Sequence, residues 1–285
     1  MFQTYHVKTA THSCRILSCR MALQEPGTTV WCGKWERATD WKALVKLNVQ
    51  FIELSRAGRK DIETPYHYGA LDAETEELIP SLLRLHNYGL LTTDSQPLLA
   101  SSPRWSTEDS SWYESRQVPF VSFFSQYQTD GASRFLRNIL EDSRLIVIWT
   151  KYTNGTISST PKGHEIMLTF ERKSKARETI ESAPWRVIGS TPATPLSLED
   201  YGLESVPALR QGSILSCMVT VKHERDLYKE RSQRTFSEKL AGQNMLAIIE
   251  EHAAGAGLKR SIKASKRKGK TWKRWKKNLR NLINR

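Results

Sequence analysis

The chain has 285 residues, 39% of them apolar, and a formal net charge of +13. That is enough hydrocarbon for one large domain or two small ones, and no stretch approaches the roughly 18 uncharged apolar residues of a membrane span. The charge is unevenly placed: residues 258–285 hold 13 of the 43 basic side chains and no acid, which leaves 30 bases against 30 acids in the first 257.

Residues 1–28 read as a flexible leader. Lys8, Arg15 and Arg20 stand there among Ser and Thr, with no acid before Glu25, a weak likeness to a mitochondrial transit peptide. No compact apolar segment of signal-peptide type is present, so an intracellular protein is expected. Cys14, Cys19 and Cys32 lie near the start and Cys217 far from them. That spacing frames no disulfide set, and reduced thiols are expected. Together with His12 the first three lack the paired ligand spacing of a zinc finger, so neither metal nor cofactor is expected.

The organised body is expected over residues 29–254 as a single α+β domain with N-terminal helices, a small mixed or antiparallel sheet and a long C-terminal helix. Asp40 predicts the cap of a helix over residues 40–57, with Trp41, Leu44, Val45, Val49 and Ile52 on its apolar face and Gly58 past its end. Trp35 and Trp41 are expected to staple the helix entry to the core. A second helix is predicted from Asp72 to Gly89. Glu74, Glu76 and Glu77 suit its first turns, Leu78, Ile79, Leu82, Leu83 and His86 form one face, and Pro80 marks a kink or a restart. Residues 92–115 are polar and read as a loop, in which Trp105 or Trp112 would be telling if exposed. Strands are predicted over residues 118–124, 145–149 and 165–170, a short helix over 132–141, and a hairpin at Asn154-Gly155 between the last two strands. Residues 182–212, with Pro184, Pro192, Pro195 and Pro207, read as an irregular connection before a strand over 213–221 and a helix over 226–254.

Two short blocks flank the second predicted helix: Tyr66-His67-Tyr68-Gly69 before it, and Gly89-Leu90-Leu91-Thr92-Thr93-Asp94-Ser95-Gln96-Pro97 after it. His67 as base, Asp72 or Asp94 as its orienter and Ser95 as nucleophile would make an acyl-transfer set, but no Gly-x-Ser-x-Gly elbow surrounds Ser95. The plainer reading makes His67 a turn histidine bonded to backbone, and Ser95 and Gln96 turn-capping residues. A straight helix of about 16 residues would hold the blocks about 25 Å apart, so a shared site requires a sharp bend at Pro80. Phosphate-loop, dinucleotide, His-Glu-x-x-His and Cys-x-x-Cys signatures are absent. An enzyme or small-molecule-binding domain centred on His67 and the Thr92–Gln96 turn therefore stands as an alternative class, and catalysis is not the expected reading.

With Tyr66, His67, Gly69, Glu74, Thr75, Gly89, Thr92, Ser95, Gln96 and Pro97 in place, the chain resembles an uncharacterised domain family of actinobacterial type. Its pattern is Tyr-His-Pro-Gly, then Glu-Thr at a helix start, then Gly-x-x-Thr-x-x-Ser-Gln-Pro-Gly. Here Tyr68 replaces the Pro and Leu98 the last Gly. The likeness covers residues 31–99, with a looser echo over 118–149, and it implies a shared fold rather than a known chemistry.

Residues 255–285 form the basic tail. Gly255 and Gly257 mark a hinge ahead of Lys259-Arg260 and the run Lys266-Arg267-Lys268-Gly269-Lys270. Trp272, Trp275, Leu279, Leu282 and Ile283 then recur at helical spacing among Lys273, Arg274, Lys276, Lys277 and Arg280, which is a basic amphipathic helix. Lys259-Arg260 and Lys273–Lys277 have the spacing of a bipartite import signal, and the same cations with two indoles suit nucleic acid. Anionic membrane surface or a calmodulin-like protein would accept the same helix. The sequence thus predicts an intracellular protein, nuclear rather than cytoplasmic, whose tail contacts nucleic acid or an import receptor.

Overall fold

The computed structural model describes residues 29–59, 62–68, 71, 75–97, 99–127, 130–158, 167–190, 198, 203, 206–221 and 234–258. The leader, residues 226–233, Asp72, Glu74 and every tail residue from Lys259 onward lie outside them. The first helix, α1 (Thr29–Glu36), leads into α2 (Trp41–Arg56). Asp40 caps α2 as expected, its carboxylate accepting the Ala43 N–H at 2.8 Å, and Gly58 follows the helix end at φ +84°. The buried stripe of α2 is Trp41, Leu44, Val45, Asn48, Phe51 and Ile52. Asn48 and Phe51 lie on the line through Leu44 and Ile52 at 3.6-residue spacing, so they take the buried place expected of Val49, which is half-buried.

A two-stranded ribbon comes next, β1 (Glu63–Thr64) against β2 (His67–Tyr68), with Thr64 opposite His67. The helix predicted from Asp72 is shorter than expected. Residues 75–78 make tight i→i+3 turns, Leu78 N–H to Thr75 O at 2.9 Å and Ile79 N–H to Glu76 O at 3.3 Å. The α-helix proper is α3 (Ile79–Asn87), with Pro80 in its first turn, where a missing N–H is harmless. Pro80 therefore marks a start rather than a kink, and Gly89 ends the helix at φ +78°.

The residues expected as a loop over 92–115 are mostly strand, and this is the largest departure from the sequence reading. β3 (Leu90–Gln96), β4 (Leu99–Ala100), β5 (Arg104–Ser106), β6 (Ser111–Gln117) and β7 (Phe120–Gln126) form one long bent hairpin. Gln96 pairs with Phe120 in the β3/β7 ladder and Leu99 with Gln117 in the β4/β6 ladder, so the register carries through. Pro97 and Pro119 stand at the break. Neither can donate to a ladder, and there the hairpin leaves one sheet for another.

The first sheet has the order β3-β7-β12-β8-β9, with β8 (Leu145–Thr153), β9 (Thr156–Ile157) and β12 (Ser213–Val221). The second has the order β11-β10-β6-β4, with β10 (Met167–Ser174) and β11 (Arg186–Ser190), and β5 also on β6. Among the described residues all strand pairs are antiparallel, so the α+β class holds, with two five-stranded sheets in place of one small one. Asn154 (φ +52°) and Gly155 (φ +81°) turn β8 into β9, the hairpin that an Asn-Gly pair favours. Its second strand is the short β9; the strand expected over 165–170 is β10, which joins the other sheet.

One face of the first sheet carries Val121, Phe123, Leu215, Cys217, Val219 and Val147, buried under α3, α4 (Asp130–Glu141) and α5 (Arg234–Gly255). Phe124, Tyr152, Ile214 and Leu91 belong to a second cluster with Trp35, Trp41, Leu44 and Val45. Helix α2 thus crosses the β3 edge, giving its first half to one cluster and Phe51 and Ile52 to the other. A sheet edge covered by a helix is shielded from pairing with another chain.

Candidate functional site

Where α2 passes over β3 lies a cleft of about 90 Å³, lined by side chains of α2, of the ribbon and its exit, and of β3. The ladder between β3 and β7 slips between Thr92 and Asp94, leaving Thr93 as an extra residue. Such a bulge re-aims side chains, here allowing Thr92, Thr93, Asp94, Ser95 and Gln96 all to reach the cleft. Tyr66 and Thr75 face them, over a floor of Phe51, Ile52, Leu71 and Leu82. Tyr66 of the first block and Thr92–Gln96 of the second therefore line one cleft. The separation estimated for a straight helix does not arise, because the chain turns at residues 75–78 and α3 spans only nine residues.

Behind the cleft is a buried polar network. Asn48 donates both amide protons, to the Thr92 carbonyl at 2.7 Å and toward His86 Nε2 at 2.6 Å. Its Oδ1 accepts the Tyr66 hydroxyl at 2.5 Å. His86 Nδ1 lies 2.6 Å from the Leu82 carbonyl. A carbonyl can only accept, so Nδ1 carries the proton and Nε2 is left to accept from Asn48. This assigns the tautomer from the network. The Thr92 carbonyl faces outward from an edge strand and finds its donor in Asn48 instead of a neighbouring strand.

The network is uncharged at neutral pH. Loss of water around the imidazole lowers the His86 pKa to about 4, against a smaller opposing effect of the Leu82 carbonyl. Desolvation of the Tyr66 hydroxyl pushes its pKa well above 10, and a hydrogen bond with Thr64 works the other way. Trp35 packs edge-on against Tyr66, with ring centroids 5.6 Å apart, and Trp41 Nε1 donates to the Gly89 carbonyl at 2.8 Å. The two indoles do staple the entry of α2, one onto the tyrosine and the other onto the turn before β3.

Among the residues singled out by sequence, Asp94 is exposed and Ser95 half-buried, and both stand at the cleft. They lie on a strand rather than in the turn expected there. His67 sits on β2, and its side chain lies outside the described residues. Asn48 and His86 carry the network, and neither was singled out for it. The available signal was a polar residue on an apolar helical stripe: Asn48 lies on the stripe of α2, and His86 on that of α3. Cys217 is buried, and burial pushes its thiol pKa well up. Among the described residues no group of three His, Cys, Asp or Glu is placed to hold a metal, and no helix is long and apolar enough to cross a membrane.

A second cluster lies on the other sheet. Arg172 pairs with Glu114 through Nε at 2.8 Å and through Nη2, and donates to the Glu181 carbonyl at 2.6 Å. The Arg116 and Arg172 guanidinium groups each lie 4.7 Å from the Trp185 ring. Trp105 is 47% exposed and sits 5.6 Å from Trp112, whose ring also carries Arg177 at 5.2 Å.

The architecture defines an α+β domain built on a bent hairpin, with a polar cleft on its sheet edge. Residues 32–182 match the family described as domain of unknown function DUF6919, and the chain belongs to that family. Comparison with curated proteins gives no match. The matched stretch contains every described residue of the cleft. It ends before β12, the strand between β7 and β8, and before α5 and the tail.

Proposed function

We propose that the folded body is a receptor domain for a small polar molecule, held between α2 and β3, and that the basic arm attaches this domain to nucleic acid. The first part rests on one observation: Tyr66, Thr75 and Thr92–Gln96, distant in sequence, converge on one polar cleft backed by a fully bonded network. Binding needs only complementary hydrogen bonds, whereas acyl transfer at Ser95 would need a base bonded to that hydroxyl. The reading moves the centre of the site from His67 to Tyr66 and Asn48.

Thermal denaturation with a panel of small polar molecules tests it. The expected result is a compound that raises the melting temperature of the native chain and loses that effect in Tyr66→Phe. If every compound acts alike on both proteins, the cleft is structural only.

The second part rests on the charge partition, since 13 bases and no acid stand in residues 258–285 while the remainder is balanced. Lys259, Arg260, Lys266, Arg267, Lys268, Lys270, Lys273, Arg274, Lys276, Lys277 and Arg280 would neutralise phosphates, with Trp272 and Trp275 stacking on bases. The same run serves nuclear import. Binding to single- and double-stranded nucleic acid across salt concentrations, with and without residues 259–285, is the test. Affinity that falls steeply with salt and vanishes with the arm supports this reading. A response to anionic vesicles or calcium-loaded calmodulin alone would replace it with a membrane-surface or calmodulin-target role.

A further inference from the structure

We infer that the cleft between α2 and β3 takes a short aliphatic molecule with a hydrogen-bonding group at each end, and that Thr75 and Ser95 are the residues that select it; this rests on the cleft being a binding site. Five of its lining residues carry hydroxyls, and three of those are already bonded. The Tyr66 hydroxyl donates to Asn48 Oδ1 at 2.5 Å and shares a further bond with Thr64. Thr92 Oγ1 lies 3.3 Å from His86 Nε2, and Thr93 Oγ1 donates to the Ser122 carbonyl at 3.4 Å. Asn48 has spent both amide protons inside the network. The hydroxyls of Thr75 and Ser95 have no hydrogen-bond partner among the described residues.

Thr75 is 6% exposed, and a hydroxyl that deep is costly unless something enters the cleft to bond it. The two unspent hydroxyls stand on facing walls: Thr75 in the turns before α3, and Ser95, half-buried, just past the bulge on β3. Between the walls runs the floor of Phe51, Ile52, Leu71 and Leu82. The lining is thus polar, apolar and polar in turn, and its complement is a hydrocarbon chain with a polar head at either end. A hydroxyl both donates and accepts, so Thr75 and Ser95 receive a hydroxyl, carbonyl or amide head alike, whatever the charge around the cleft. Size limits the chain. At roughly 10–15 Å³ per water-sized position, 90 Å³ admits about half a dozen heavy atoms, which suits a four-carbon chain with two heads.

The test is a magnetic-resonance titration of the isotope-labelled full chain, read at the backbone amides of Thr75, Thr93 and Ser95. One probe is butane-1,4-diol; the other is pentan-1-ol, which has as many heavy atoms but a single head. Both are uncharged, so the basic arm offers them no ion pair. The diol should shift these signals saturably, and should bind about fivefold more weakly in Thr75→Val and in Ser95→Ala, each of which deletes one neutral hydrogen bond. Signals away from the cleft that keep their native positions show that each variant folds. Pentan-1-ol should bind the native chain more weakly than the diol. Equal affinity for the two probes, or a diol affinity that either substitution leaves unchanged, overturns the inference; if Tyr66→Phe still weakens the diol, the cleft stands as a site read through other groups. If neither probe shifts the signals saturably, water alone serves the two hydroxyls and the inference falls, while the wider panel tested against Tyr66→Phe decides the cleft reading separately.

Discussion

The two sheets are held together by different physics. The first is a hydrocarbon sandwich filling, in which Phe123 meets Phe135 at 6.0 Å between ring centroids and packs with Leu215, Cys217 and Val219. The second is a lattice of guanidinium groups, carboxylates and indoles: Arg172 on Glu114, Arg116 and Arg172 against Trp185, Arg177 against Trp112. Non-directional hydrophobic burial organises the first and tolerates many sequences. The second depends on particular pairs, each of which fails if one member is lost. The cleft lies at the edge of the first sheet, where hydrocarbon gives way to a hydrogen-bonded network.

The contrast can be broken by substitution. Phe123→Ala, at a side chain 1% exposed, should destabilise by about 4 kcal/mol through lost burial and the cavity left behind, measured by denaturant unfolding. In the second sheet the sensitive position is Arg172. Arg172→Met leaves Glu114 buried without its main partner and should cost about 3 kcal/mol, whereas Arg172→Met combined with Glu114→Gln should recover most of that loss. A pair worth only its surface ion contact would show neither the loss nor the recovery.

Acid sharpens the comparison at the cleft. The His86 pKa is about 4 in the fold against about 6.5 in an unfolded chain, so between those values only the unfolded state takes up the proton. Stability that is complete above pH 6.5 should decline as pH falls toward 4, by roughly 3 kcal/mol in full. His86→Gln should flatten that part of the profile. The smallest expected difference concerns the indoles. Trp41→Phe loses the bond to the Gly89 carbonyl, while the buried Trp35 Nε1 has no partner among the described residues. Beyond the ring truncation common to both, Trp41→Phe should therefore be the more destabilising by about 1 kcal/mol.

The legibility of the two sheets in the sequence follows the same division. Phe120–Gln126 and Ser213–Val221 are near-continuous apolar runs and are recognisable as buried strands. The capping of α2 by Asp40 and the Asn154-Gly155 turn are local events, and local residues suffice to predict them. Ser111–Gln117 reads Ser-Trp-Tyr-Glu-Ser-Arg-Gln, without apolar alternation, because its partners across the sheet are ionic and aromatic. Nothing within the segment shows that Arg172, 58 residues beyond Glu114, will neutralise it, and so the strand reads as loop.

The cleft was legible in its composition but not in its geometry. Tyr66, Thr75 and Thr92–Gln96 stood out as a group of hydrogen-bonding residues, and Asn48 and His86 could be read as polar interruptions of apolar stripes. Whether they meet depends on where α3 begins, and propensity places that start poorly because Asp72 and Pro80 are both acceptable first-turn signals. By itself the sequence determined what is set by neighbours along the chain: caps, turns, apolar runs, the α+β class and the segregation of charge into the tail. Only the tertiary structure decided what depends on separations of tens of residues. The bend of the hairpin at Pro97 and Pro119 joins two sheets, the crossing of α2 over β3 encloses a cleft, and a bulge at Thr93 turns an edge strand toward it.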